Sequence, residues 1–190
     1  MTFRHSNLCL SLAVLGGFAY PLIVYFSLSA VPPAALVLAG LGLIGLRLVG
    51  MRRLAHFRTW GAAFLLAAIG LIVLLTLSPQ LAARAYPVAI SLSVAGVFAV
   101  SLRFPPTMIE RFARMTEPDL PREGIVYCRK VTVVWIGFLL GNASISAATA
   151  LWGSLAQWTL WNGLLSYLAM GILFAGEYLV RRLVKKQAQV

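Results

Sequence analysis

The chain is short of charge, and shorter still of acids. Charged residues make up 11% of its 190 positions, and only five residues are acidic. Soluble domains carry about 25% charge and roughly 45–50% apolar residues, whereas here the apolar share is 61%. So few polar side chains do not cover a water-soluble fold of this size, and the soluble class is excluded. Histidine is also scarce, with two residues, His5 and His56, far apart and flanked by arginine. The two cysteines, Cys9 and Cys128, form no CxxC pair and no metal-ligand spacing, so neither metal nor cofactor is expected. Both cysteines are read as packing thiols. The threading derived below puts them near the cytoplasmic face, where thiols stay reduced. No glycine-rich loop precedes a Lys-Ser/Thr pair. Lipid-acting enzymes need clustered acids for a metal, a His with an acid, or a Ser–His pair. The sequence holds little of that material, and the chain is read as non-catalytic.

The net charge of +11 does not signal nucleic acid. The cations fall in short clusters between apolar runs, with no aromatic-interleaved basic surface on which bases stack. Their pattern is topological. A bilayer core needs about 20 apolar residues per helix, and six runs qualify: 8–29, 34–50, 60–77, 87–102, 131–152 and 158–180. All are apolar all round, which argues against alternating strands. The first exceeds the usual 7–15 residues of a signal-peptide core and is read as a retained helix, with Pro21 inside it. The expected fold is therefore all-α, a single polytopic domain of six transmembrane helices.

Fifteen of the sixteen basic residues then fall on one side of the thread, and only Arg84 falls on the other. The positive-inside rule places that side, and both termini, in the cytoplasm. Trp152, Trp158 and Trp161 gather at the outer end of the last two spans, as an aromatic belt does. The separator 78–87 carries two prolines and reads as a connection. Nothing repeats among the three hairpins, so an inverted-repeat transporter gains little support.

The segment 103–130, RFPPTMIERFARMTEPDLPREGIVYCRK, concentrates four of the five acids and six of the sixteen bases. Pro105-Pro106 ends the fourth span. Thr107 with Glu110 spells a capping box, so a short cytoplasmic helix is expected to start there. Met108, Ile109, Phe112 and Met115 recur at helical spacing, with Glu110, Arg111 and Arg114 elsewhere, and Glu110 and Arg114 are spaced to pair. Such an amphipathic helix suits the inner bilayer surface and anionic headgroups. Asp119 is placed to cap the helix entering span five. Three readings of the segment stand: an ordinary positive-inside connection, a surface that docks a partner or a lipid headgroup through Arg111, Arg114, Arg122, Glu110 and Asp119, and, least favoured, a catalytic loop.

At membrane depth the polar residues are few. Glu177 is the one acid in any span, and it either pairs with Arg181 one turn on or handles a proton or substrate. Asn142 and Ser146 share a face of span five, where they serve helix packing or line a pocket.

The stretches MIERFAR (108–114), EPDLP (117–121) and RKVTVVWIGF (129–138), with Asn142 and the tail 161–182, resemble a family of uncharacterised bacterial inner-membrane proteins. Their genes lie among acyl-carrier-protein, ketosynthase and acyltransferase genes of the aryl-polyene or related lipid type. More distantly the chain is similar to the septation protein A family, through 21–26, Pro106–Arg114, Trp135 and Asn142. The resemblance implies an inner-membrane accessory of envelope lipid or aryl-polyene assembly, with carrier protein, ketosynthase or acyltransferase as partner. It carries over no catalytic residue. A small lipid or solute transporter using Asn142, Ser146 and Glu177 is the alternative.

Overall fold

The computed structural model describes the backbone of residues 2–27, 30–51 and 57–187. Side-chain detail runs from Leu12 to Arg182, apart from positions 13, 14, 18, 28, 29 and 52–57. The side chains of Arg4, His5, Cys9 and His56, and the cations at 52, 53, 185 and 186, fall outside the described residues. Within them every element is helical and there is no strand. A chain this apolar has to satisfy its backbone internally, which favours helices.

Helix α1 (Thr2–Ser27) and α2 (Pro33–Met51) form a hairpin. Pro33 sits at the first helical position, where its missing N–H costs nothing. Helix α3 (Phe57–Leu77) is followed at once by α4 (Pro79–Arg103). The expected connection 78–87 is therefore corrected to helix. Ser78 is its N-cap and accepts from the Leu81 N–H at 3.3 Å, Pro79 occupies the first turn, and Pro87 lies inside the helix. Two prolines read as a linker are in fact a helix start and an internal interruption.

After the short α5 (Met108–Arg114) comes α6 (Arg122–Trp152). Its 31 residues span about 46 Å at 1.5 Å per residue, well beyond a hydrocarbon core of about 30 Å. The last element begins at α7 (Leu155–Leu160), passes through a π-helical turn (Trp161–Leu165) and continues as α8 (Ser166–Gln187). Among the described residues five helices are long and apolar enough to cross a membrane: α2, α3, α4, α6 and the rod Leu155–Arg182. This is the pattern of a multi-pass membrane protein.

Helix α4 is the hub, packed on α6, α3 and α2. Its internal proline explains one anchor. Pro87 has no N–H to offer the Ala83 carbonyl one turn back, and the buried Tyr20 hydroxyl of α1 donates there instead, at 2.9 Å. The same hydroxyl lies 3.2 Å from the Leu36 carbonyl of α2, so one phenol ties three helices. Near the α5 end, Val97, Phe98, Met108, Val131 and Trp135 form a second buried cluster.

Candidate functional site

Two places collect polar chemistry. The first is the segment from Phe104 to Pro121 with the helix ends beside it. Thr107 and Glu110 form the expected capping box, the Glu110 N–H donating to Thr107 Oγ1 at 3.4 Å and the Thr107 N–H to Glu110 Oε2 at 3.3 Å. Glu110 is buried, and Arg114 pairs with it at 2.9 Å. The other cations close the loop on itself. Arg111 Nε donates to the Pro106 carbonyl at 2.8 Å, and Arg114 Nη1 to the Pro118 carbonyl at 2.9 Å. Arg129 Nη1 reaches the Leu102 carbonyl at 2.9 Å, one of the groups a helix C-terminus leaves without a partner. Ser101 Oγ accepts from the Met108 N–H at 3.0 Å. Burial pulls the Arg111 pKa down and the neighbouring Glu110 carboxylate pulls it back, and the guanidinium remains charged.

The expected apolar face of α5 divides. Met108 is buried in the second core cluster and Ile109 packs against it, while Phe112 and Met115 are exposed. Asp119 is exposed and does not cap α6. The N-cap is Pro121, with no side-chain bond. A proline held in the extended region starts the helix without needing a cap from the loop. Arg122, Arg129 and Lys130 stand exposed along the first turns of α6.

The second place is a half-open cavity of about 280 Å³ among α1, α2, α4, α6 and the π-turn rod. Three interruptions of the helical hydrogen-bond ladder line it: Pro21, Pro87 and the π turn at Asn162. Such π turns often mark functional sites. Asn142 and Ser146, expected to share a face, both enter a polar network here. Asn142 Nδ2 donates to Ser91 Oγ at 3.0 Å, and Trp161 Nε1 donates to Asn142 Oδ1 at 3.1 Å. Ser146 Oγ donates to Asn162 Oδ1 at 2.7 Å, and Asn162 Nδ2 donates to the Trp158 carbonyl at 2.8 Å. Both amides are thus committed to the protein on their oxygen and their nitrogen.

Glu177 is not part of this network. Its carbonyl accepts from the Tyr127 hydroxyl at 3.4 Å, and Arg181 forms its ion pair with Glu117 at 3.8 Å rather than with Glu177.

Sequence reasoning missed Arg47, Tyr86 and Asn162. Arg47 counted as one more cation beside a span end, although it lies inside the run 34–50. Tyr86 fell in the supposed connection. In the structure Arg47 and Tyr86 both line the cavity. Arg47 lies 5.8 Å from the Phe64 ring centroid, while its Nε and the Tyr86 hydroxyl are buried without a hydrogen-bond partner. Arg84 Nε and Thr159 Oγ1 share that condition elsewhere. Cys128 is buried and free, and among the described residues no three His, Cys, Asp or Glu gather closely enough to hold a metal. No family model, curated protein or solved structure matches the chain.

Proposed function

We propose that the chain is a non-catalytic accessory of envelope lipid or aryl-polyene assembly in the bacterial inner membrane. In this reading α1 is the sixth span, both termini are cytoplasmic, and the 104–121 segment faces the cytoplasm. Helix α5 lies along the inner surface with Phe112 and Met115 toward lipid. Arg122, Arg129 and Lys130 meet an acidic acyl carrier protein, or the synthase or acyltransferase that works with it. Anionic headgroups are the competing occupant of the same charges.

The observation that carries this reading is the self-bonded loop. A segment whose own arginines hold its carbonyls is already ordered, so a partner meets it with little further loss of conformational entropy. Arg111, Arg114, Glu110 and Asp119 then act differently from one another. The first three shape the platform, while Asp119 sits exposed on its rim. The geometry gives less support to transport through Asn142, Ser146 and Glu177. Two of those residues are engaged in internal bonds, and the third lies apart from the cavity.

The test is binding of purified acyl carrier protein to this protein in nanodiscs, with the Arg122→Glu/Lys130→Glu double variant for comparison. Affinity falls at least about tenfold, or 1.4 kcal/mol, if these cations form the contact. Equal affinity of the two forms removes the docking reading.

A further inference from the structure

Two described arginines, Arg47 and Arg84, bury an Nε without a hydrogen-bond partner, and Arg47 is the one that lines the cavity with Asn142 and Asn162. A guanidinium stays protonated in any protein environment, and a charged side chain within a membrane helix is costly unless it is paired. Such groups normally pair with an acid. This chain has five acids, four at 110–123 and the fifth at 177, and none lines the cavity. The ion pairs among the described residues are Glu110–Arg114 and Glu117–Arg181.

The side chain leans toward the N-terminus of α2, as helical side chains do. Leu43 of α2 lies against Gly16 of α1, and Arg47 follows Leu43 by one turn toward the α2 C-terminus. Its guanidinium nevertheless reaches back toward the middle of the hairpin. A Cβ on Gly17 would lie 2.6 Å from Arg47 Nη2 and 3.5 Å from the Tyr86 hydroxyl oxygen. Position 17 is thus kept bare beside both polar tips. Tyr86 is 3% exposed and its hydroxyl has no partner, although a buried hydroxyl normally finds one.

These two groups share the cavity with Tyr167 and with the Asn142 and Asn162 amides, and both amides are already bonded. Most of the remaining wall is apolar, with Val94, Phe98, Trp135, Leu139 and Phe174, and Ser91 and Ser166 also line it. A volume of about 280 Å³ sits at the lower edge of small-molecule sites, which run from about 300 Å³. It has room for a headgroup and the start of a chain.

We propose that this cavity binds the anionic head, carboxylate or phosphate, of a single-chain amphiphile. Arg47 supplies the counter-charge, the Tyr86 hydroxyl donates a hydrogen bond, and the chain lies along the apolar wall. The inference rests on the membrane reading of the fold and is independent of carrier-protein docking.

The experiment uses the full chain in nanodiscs with cis-parinaric acid, whose conjugated tetraene accepts excitation from tryptophan, and reads the signal in a variant that keeps Trp135 alone of the five. The methyl ester, dodecyl phosphate and inorganic phosphate serve as comparators. The free acid binds at least tenfold more tightly than its ester while Arg47 and Tyr86 are in place, a contrast that needs no change at either. Arg47→Gln abolishes that preference, Arg47→Lys keeps part of it, and Tyr86→Phe weakens the acid about threefold to fivefold. Displacement by dodecyl phosphate with the higher affinity assigns the head to phosphate, and the reverse order assigns it to carboxylate. Equal binding of acid and ester, or an unchanged preference in a folded Arg47→Gln protein, overturns the site. Inorganic phosphate binding as tightly as either amphiphile overturns the role of the chain.

Discussion

The 103–130 segment and the membrane cavity treat charge in opposite ways. The segment holds four of the five acids and six of the sixteen bases, and much of that charge is turned inward. Arg111 and Arg114 bond the carbonyls of Pro106 and Pro118, and Glu110 is at once a cap and a counter-ion. The cavity is lined by one cation, Arg47, together with Tyr86 and Tyr167 and no acid, and the Phe64 ring that faces Arg47 lies outside that lining. Density of charge therefore marks a structural device in the first region, whereas the second is marked by two buried polar atoms, Arg47 Nε and the Tyr86 hydroxyl, that have no hydrogen-bond partner. A sequence scan weighs the first and overlooks the second, because partnership is a property of three dimensions.

Substitutions separate the two regions by the size and kind of their effects. The largest falls on the polar network beside the cavity. Asn142→Ala leaves Ser91 Oγ and Trp161 Nε1 without their partners, at roughly 1–3 kcal/mol for each buried orphan. The expected total is about 2–3 kcal/mol of stability, read by reversible unfolding in mixed micelles. A loss below 0.5 kcal/mol would show that water or another side chain replaces the amide.

Next is Glu110→Ala, which removes the box at the start of α5 and the partner of Arg114. Loss of a cap costs about 0.5–2 kcal/mol, and a pair whose arginine is more than a third exposed adds little. We expect about 1–2 kcal/mol, together with faster amide hydrogen exchange at Met108–Arg114. Unchanged exchange there would contradict the self-bonded loop.

Gly17→Ala acts in the other region and in the other currency of measurement, affinity rather than stability. Replacing a mid-helix glycine with alanine ordinarily stabilises by about 1 kcal/mol. Here the added Cβ has to displace Arg47 Nη2, which it would meet at 2.6 Å. Parinaric acid binding falls several-fold, while the melting temperature does not drop. Retained affinity would mean that Arg47 does not hold the head where its present position puts it.

The smallest effect is that of Arg122→Ala, an exposed position whose loss changes stability by less than about 0.5 kcal/mol. Its consequence belongs to partner binding alone. A large loss of stability there would make Arg122 another internal tie.

Much of the fold was legible because its causes are local. Runs of apolar residues marked α2, α3, α4, α6 and the final rod, and the Thr107–Glu110 spacing marked the start of α5. The errors also have local causes. Proline signals both a break and a helix first turn, so Pro79 and Pro87 turned the first nine residues of α4 into an apparent connection. Asp119 looked like a cap, yet Pro121 starts α6 without one. Asn142 and Ser146 were visible as polar residues on one face, but their bonds to Ser91 and Asn162 depend on how α4 and the π turn pack. Arg47 carried a usable signal, an arginine inside an apolar run. It was discounted because fourteen other cations lie on the same side of the thread.

The most direct test of the docking account is made in living cells, with a photo-crosslinking amino acid at Arg122 and mass spectrometry of what it captures. The account predicts an acyl carrier protein or its synthase or acyltransferase, held at the outward face of α6. Capture of phospholipid alone would contradict it and make the segment an anchor on the bilayer.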